Sequence, residues 1–133
     1  YSFFVGSGES SWSVPSLPDC KNGRADRVTN CQNRFGLSAA PMLVGDALLS
    51  GSLDGKLVAL DKNTGATIWQ YDTAVEFETN NGVVARGGSI DAHSIAAGGG
   101  MIFVGSGYGR FGQTPGNVLL AFKPKISPIE PSQ

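Results

Sequence analysis

The stretch GSLDGKLVALDKNTGATIW, residues 51–69, decides how this chain folds. Leu57 to Leu60 is apolar at every position, where a strand with one wet side would alternate, so these residues predict a short strand covered on both faces. Ahead of it, Asp54-Gly55 predicts a two-residue hairpin of type I′, with positive φ at both residues. Behind it, residues 61–65 predict a longer turn in which the Asp61 carboxylate accepts backbone amides ahead of it and Gly65 turns left-handed.

Working outward, residues 41–44, 47–52, 56–60 and 66–71 read as four short strands, and a second copy of the pattern follows at 94–97, 101–105 and 117–122. Small four-stranded antiparallel sheets covered on both sides, repeating in units of about 40 residues, predict an all-β chain built as a partial β-propeller. Phe3 to Gly8 resembles Phe103 to Gly107, so it is expected to be the second strand of an earlier blade. The expected division is the end of an incomplete blade at 1–14, a polar loop with Cys20 and Cys31 at 15–36, and a full blade at 37–73. An inter-blade loop at 74–91, a last blade lacking its fourth strand at 92–124 and a proline-rich tail at 125–133 complete it. A propeller needs at least about four blades to close, so an open arc predicts exposed apolar faces and dependence on the remaining blades, as other chains or further sequence. The first residue is Tyr and the text there is already strand-like, which reads as a processed or excised piece.

Composition agrees with this class. The 133 residues suffice for one domain, and 19 glycines against two methionines favour turns over helices. A formal net charge of −1 offers no positive field for phosphates, which argues against nucleic acid, and no apolar run reaches the roughly 20 residues of a membrane span. Cys20 and Cys31 either pair, closing a short loop and implying an oxidising compartment, or stay as two thiols. A single histidine argues against a zinc site, and without Cys-x-x-Cys-His the chain carries no covalent haem.

Ala59 to Trp69 resembles the A-x-D-x-x-T-G-x-x-x-W repeat of quinoprotein propellers. The resemblance extends through 34–40, 72–83, 87–91, 106–109 and 115–122 to the C-terminal end of polyvinyl alcohol dehydrogenases and related quinoprotein alcohol dehydrogenases. It implies an eight-bladed propeller, pyrroloquinoline quinone and calcium near the axis, alcohol oxidation, cytochrome c as electron acceptor, and a periplasmic or extracellular location. It also implies that Trp69 docks between blades, and that the metal ligands and catalytic aspartate lie on earlier blades, leaving no catalytic or metal-binding residue to assign here.

Within that frame Thr79, Asn80, Asn81 and Gly82 are candidate cofactor contacts through amide donors and acceptors, and Arg86 is a candidate partner for an anionic cofactor. Tyr108 and Arg110, in the loop Tyr108 to Gly112, stand where related enzymes place aromatic pocket residues; a solvent-facing loop is the alternative. His93 with Asp91, two apart on a strand, admits a base-and-orienter reading, against which a hydrogen-bonded structural histidine is the plainer one. Lys21, Arg24, Arg27 and Arg34 are expected to form a solvated excursion. Three functions fit: a segment of a quinone-dependent alcohol dehydrogenase, a non-catalytic propeller scaffold, or a structural protein self-assembling from partial propellers.

Overall fold

The computed structural model describes residues 1–123, so the expected tail at 125–133 lies outside the described residues. The elements are β1 (Ser2–Phe3), β2 (Ser10–Trp12), α1 (Arg24–Arg27), β3 (Met42–Val44), β4 (Ala47–Gly51), β5 (Lys56–Asp61) and β6 (Thr67–Asp72). They continue with β7 (Glu76–Glu78), β8 (Val84–Arg86), β9 (Ile95–Gly98), β10 (Met101–Ser106) and β11 (Val118–Phe122). A four-stranded antiparallel sheet, β3-β4-β5-β6, neighbours a three-stranded one, β11-β10-β9, and two-stranded pairs β1-β2 and β7-β8 flank them. This is a partial propeller: one full blade and two incomplete ones among the described residues.

The central strand behaves as its apolar run requires. Leu57, Val58, Ala59 and Leu60 are all buried, on both faces of β5. Leu57 joins Ala39, Ile90, Ile95 and Val104 in a core between the two larger sheets, and burying a side chain of this size stabilises by about 1.5–3 kcal/mol. On the same side Trp69 and Tyr71 meet Phe122 edge-on, with ring centroids 5.5 and 5.2 Å apart. Trp69 therefore sits between neighbouring sheets. The opposite face, with Leu48, Val58 and Leu60, lines a cleft of about 520 Å³ bordered by Tyr1, Trp12 and Val14. β11 is the counterpart of β5, but Leu119 is 72% exposed because no described element covers its outer face.

Two turns part company with the sequence reading or confirm it. Between β4 and β5, Ser52 N donates to Lys56 O at 2.9 Å and Gly55 N to Ser52 O at 3.0 Å, and of the pair Asp54-Gly55 only Gly55 has positive φ (84°). The hairpin is thus a three-residue loop closed by a left-handed glycine, which spares Asp54 the cost of that conformation. In the next turn Asp61 Oδ1 accepts the amides of Asn63 and Thr64 at 2.9 and 2.8 Å, and Gly65 has φ of 72°, as its sequence predicts.

The N-terminal run differs from its expected single strand. Gly8 N donates to Phe4 O at 2.8 Å, so the chain turns back and Ser2–Phe3 pairs with Ser10–Trp12. The similar text in β10 stays extended because β9 and β11 flank it on both sides. Trp12 then reaches the turn after β5: its Nε1 donates to Lys62 O at 3.1 Å, and its ring lies where a Cβ on Gly65 would come within 2.4 Å.

The polar loop is a clamp rather than a solvated excursion. Cys20 and Cys31 form a disulfide, with Cα atoms 5.7 Å apart, and pack with Val28 against Ala74. Arg24 is 3% exposed and reaches Asp54 at 2.8 Å and the carboxylate of Asp72, while Lys56 Nζ bonds Asp19 at 2.6 Å. Burial works against the Arg24 charge, yet hydrogen bonds and attraction from Asp72 and Asp54 hold its pKa above the ordinary value.

Candidate functional site

The loops that join one sheet to the next gather at one end of the sheets. Thr73 N donates to Gly55 O at 2.9 Å, Ile90 N to Ser52 O at 3.0 Å, Leu53 N to Gly36 O at 3.0 Å and Ala40 N to Ala92 O at 2.8 Å. Hydroxyls stitch the same end from within: Thr73 Oγ1 and Ser106 Oγ lie 2.7 Å apart, and Gly88 N donates to Ser106 Oγ at 2.9 Å. Both side chains are buried, so each polar group there needs the partner it has.

The four candidates Thr79 to Gly82 form the tip of the β7–β8 hairpin. Thr79 Oγ1 bonds Asn81 Oδ1 and Val83 O, Val83 N donates to Asn81 Oδ1 at 3.2 Å, and Gly82 supplies the left-handed residue. Thr79 and Asn81 thus hold the turn. Among the described residues the Asn80 side chain has no such bond, and it points to solvent. Arg86 is paired with Glu76 at 3.5 Å, both exposed, so its guanidinium already has a carboxylate beside it.

Tyr108 and Arg110 belong to the β10–β11 loop. The Tyr108 ring tilts against Phe111 with centroids 6.4 Å apart, and it borders an open recess of about 370 Å³ shared with Asn117 and Leu119. Asn117 also ties the base of the β7–β8 hairpin to this recess, accepting Arg86 N at 2.9 Å and donating its own amide to Arg86 O at 2.8 Å. Arg110 and Phe111 are exposed. The two candidate loops are therefore joined at their bases through Asn117, not at their tips.

His93 and Asp91 do not form a base-and-orienter pair. Both precede β9, and Ala92 between them has φ of 53°, so the extended geometry that would align them is absent. Asp91 instead accepts Ser38 Oγ at 2.7 Å, Ala92 N at 2.7 Å and Gln113 Nε2 at 2.9 Å. The Ser38 bond, aided by Ala92 and Gln113 against the effect of burial, holds its carboxyl below the usual carboxylate range. Gln113 escapes sequence reading because its partner is 22 positions away. Among the described residues no three His, Cys, Asp or Glu side chains stand together to hold a metal ion, and no helix is long and apolar enough to cross a membrane.

Comparison with known proteins gives the same architecture. The family model described as outer membrane protein assembly factor BamB matches residues 7–122. A polyvinylalcohol dehydrogenase of Sphingopyxis sp. (strain 113P3) is 34% identical over 128 residues, covering 89% of this chain and 19% of that protein. A polyvinylalcohol dehydrogenase of Pseudomonas sp. is 35% identical over 95 residues, 65% of this chain and 15% of the relative. The assembly factor BamB of Francisella salina is 30% identical over 84 residues, 62% of this chain and 15% of its own length. The chain thus spans less than a fifth of each relative, with 19% the largest share. Sheet order, a tryptophan between sheets and a family match from residue 7 to residue 122 make the chain a member of the PQQ-repeat β-propeller family.

Proposed function

We propose that this chain is a segment of a pyrroloquinoline-quinone-dependent alcohol dehydrogenase propeller, acting outside the cytoplasm and passing electrons to a cytochrome c. One observation carries the reading: the alignment with the Sphingopyxis dehydrogenase takes in 89% of the chain, so it includes the inter-sheet loops as well as the repeat. The donor set fits part of such a cofactor. Tyr108 offers an aromatic face, and Arg110 and Asn80, both exposed, offer a cation and an amide to a flat anionic ring bearing carboxylates. Thr79, Asn81 and Gly82 shape the turn that presents Asn80. Calcium does not fit the described residues, so its ligands would come from the remaining blades. When bound, the quinone supplies the two-electron acceptor for the alcohol.

A scaffold without a cofactor is the second reading, favoured by the family model that carries the name of an assembly factor. A chimera separates the two. With the full chain grafted in place of the matching segment of the Sphingopyxis dehydrogenase, the protein is expected to bind the quinone and to reduce a dye with polyvinyl alcohol. A folded chimera that takes up no quinone would overturn the enzyme reading in favour of the scaffold.

A further inference from the structure

We infer that Gln113 is a positioning residue that fixes the arc carrying Tyr108 and Arg110, and this rests on the function just proposed. The arc is fastened at its base by Ser89: Tyr108 N donates to Ser89 O at 3.0 Å, Thr114 N to Ser89 Oγ at 2.9 Å, and Ser89 N to Thr114 O at 2.9 Å. Between those points Arg110 and Phe111 are exposed, and Gln113, 6% exposed, makes two side-chain bonds that hold the arc in shape. Its Oε1 accepts Phe111 N at 2.7 Å and its Nε2 donates to Asp91 Oδ2 at 2.9 Å. A side-chain amide carries an acceptor and a donor on one planar group, so it satisfies a backbone donor on one side and a carboxylate on the other.

Asp91 carries the link onward. Its Oδ1 accepts Ser38 Oγ and Ala92 N, each at 2.7 Å. The loops before β3, before β9 and between β10 and β11 are thus joined in one line of bonds, Ser38 to Asp91 to Gln113 to Phe111. A loop bearing a cofactor contact binds in proportion to the fraction of time it holds the competent shape, so loosening this line weakens binding without removing any contact atom.

The polarity of the link allows a reciprocal test in the same chimera. Gln113→Glu sets two acceptors against each other, and Asp91→Asn sets two donors. The double substitution Gln113→Glu with Asp91→Asn rebuilds the link with roles exchanged: the introduced amide keeps Ser38 and Ala92 on its oxygen and donates to the introduced carboxylate, which still accepts Phe111 N. Each single variant is expected to weaken quinone binding about tenfold and to speed hydrogen exchange at the Phe111 amide about tenfold, while the double variant returns to within about threefold of the parent. Singles that bind and exchange like the parent, or a double no better than the singles, would overturn the inference. A folded parent chimera that binds no quinone would overturn the functional reading instead, and exchange at Phe111 then decides the positioning claim alone.

Discussion

Arg24 and Asp54 stand thirty positions apart and meet at 2.8 Å, with 4% of each side chain exposed. Neither charge can turn to water if its partner is removed. Arg24→Met is therefore expected to destabilise the fold by about 3–5 kcal/mol, the usual cost of stranding one member of a buried pair. Urea unfolding followed by tryptophan fluorescence measures it, and a loss below about 1 kcal/mol would mean that the clamp is solvated after all.

The disulfide holds the same loop. Replacing Cys20 and Cys31 together by serine is expected to cost about 2–4 kcal/mol through the freed unfolded chain, with Cys31 buried against Val28 and Ala74 placing the loss toward the upper end. The midpoint shift in urea checks it, and the parent under reducing agent, which frees the same loop but keeps the buried thiols, should lose less than the serine variant.

Gly65 and Gly45 both have positive φ, 72° and 61°, but their surroundings differ. A Cβ on Gly45 meets nothing within 4 Å, whereas one on Gly65 enters the Trp12 ring. Gly45→Ala is expected to cost about 1 kcal/mol, for the backbone alone. Gly65→Ala adds the displaced indole and its bond to Lys62 O, raising the loss by about another 1–2 kcal/mol. Equal losses in thermal melts would show that Trp12 does not rest on this turn.

Acid should weaken the fold in a defined window. Burial raises the Asp72 carboxyl, but hydrogen bonds from Arg24 and Arg27 outweigh it and hold the group below its ordinary value; Asp91 is held low chiefly by Ser38. A depressed folded pKa means that the unfolded chain binds more protons as pH falls, so this stability is complete above about pH 5 and is lost progressively below about pH 4. Melting temperature against pH checks the sign. Arg24→Met should flatten the acid limb because Asp72 then loses its strongest partner.

The central sheet was legible because its signals are local. The unbroken apolar run at Leu57 to Leu60 and the Asp61-to-Gly65 turn carry their own structural reasons within a few residues. The reading of Phe3 to Gly8 failed because identical text is a strand only when neighbours flank it, as they flank β10. Arg24 looked like a surface cation because Asp54 and Asp72 lie 30 and 48 positions further on, and charge spacing in a loop says nothing about such partners. The candidate site was half legible: the sequence picked out the loops of Thr79 and Tyr108, but not that Thr79 and Asn81 are spent on their own turn, nor that Gln113 and Asn117 tie those loops down.

The sulfur bridge between Cys20 and Cys31 brackets Lys21, Arg24 and Arg27. Any scission of the main chain within that bracket leaves both fragments tethered, so the molecule has two parallel covalent routes through its most cationic segment. A nick there would add only one water to the intact mass, and the two fragments would part only when a reductant opened the second route.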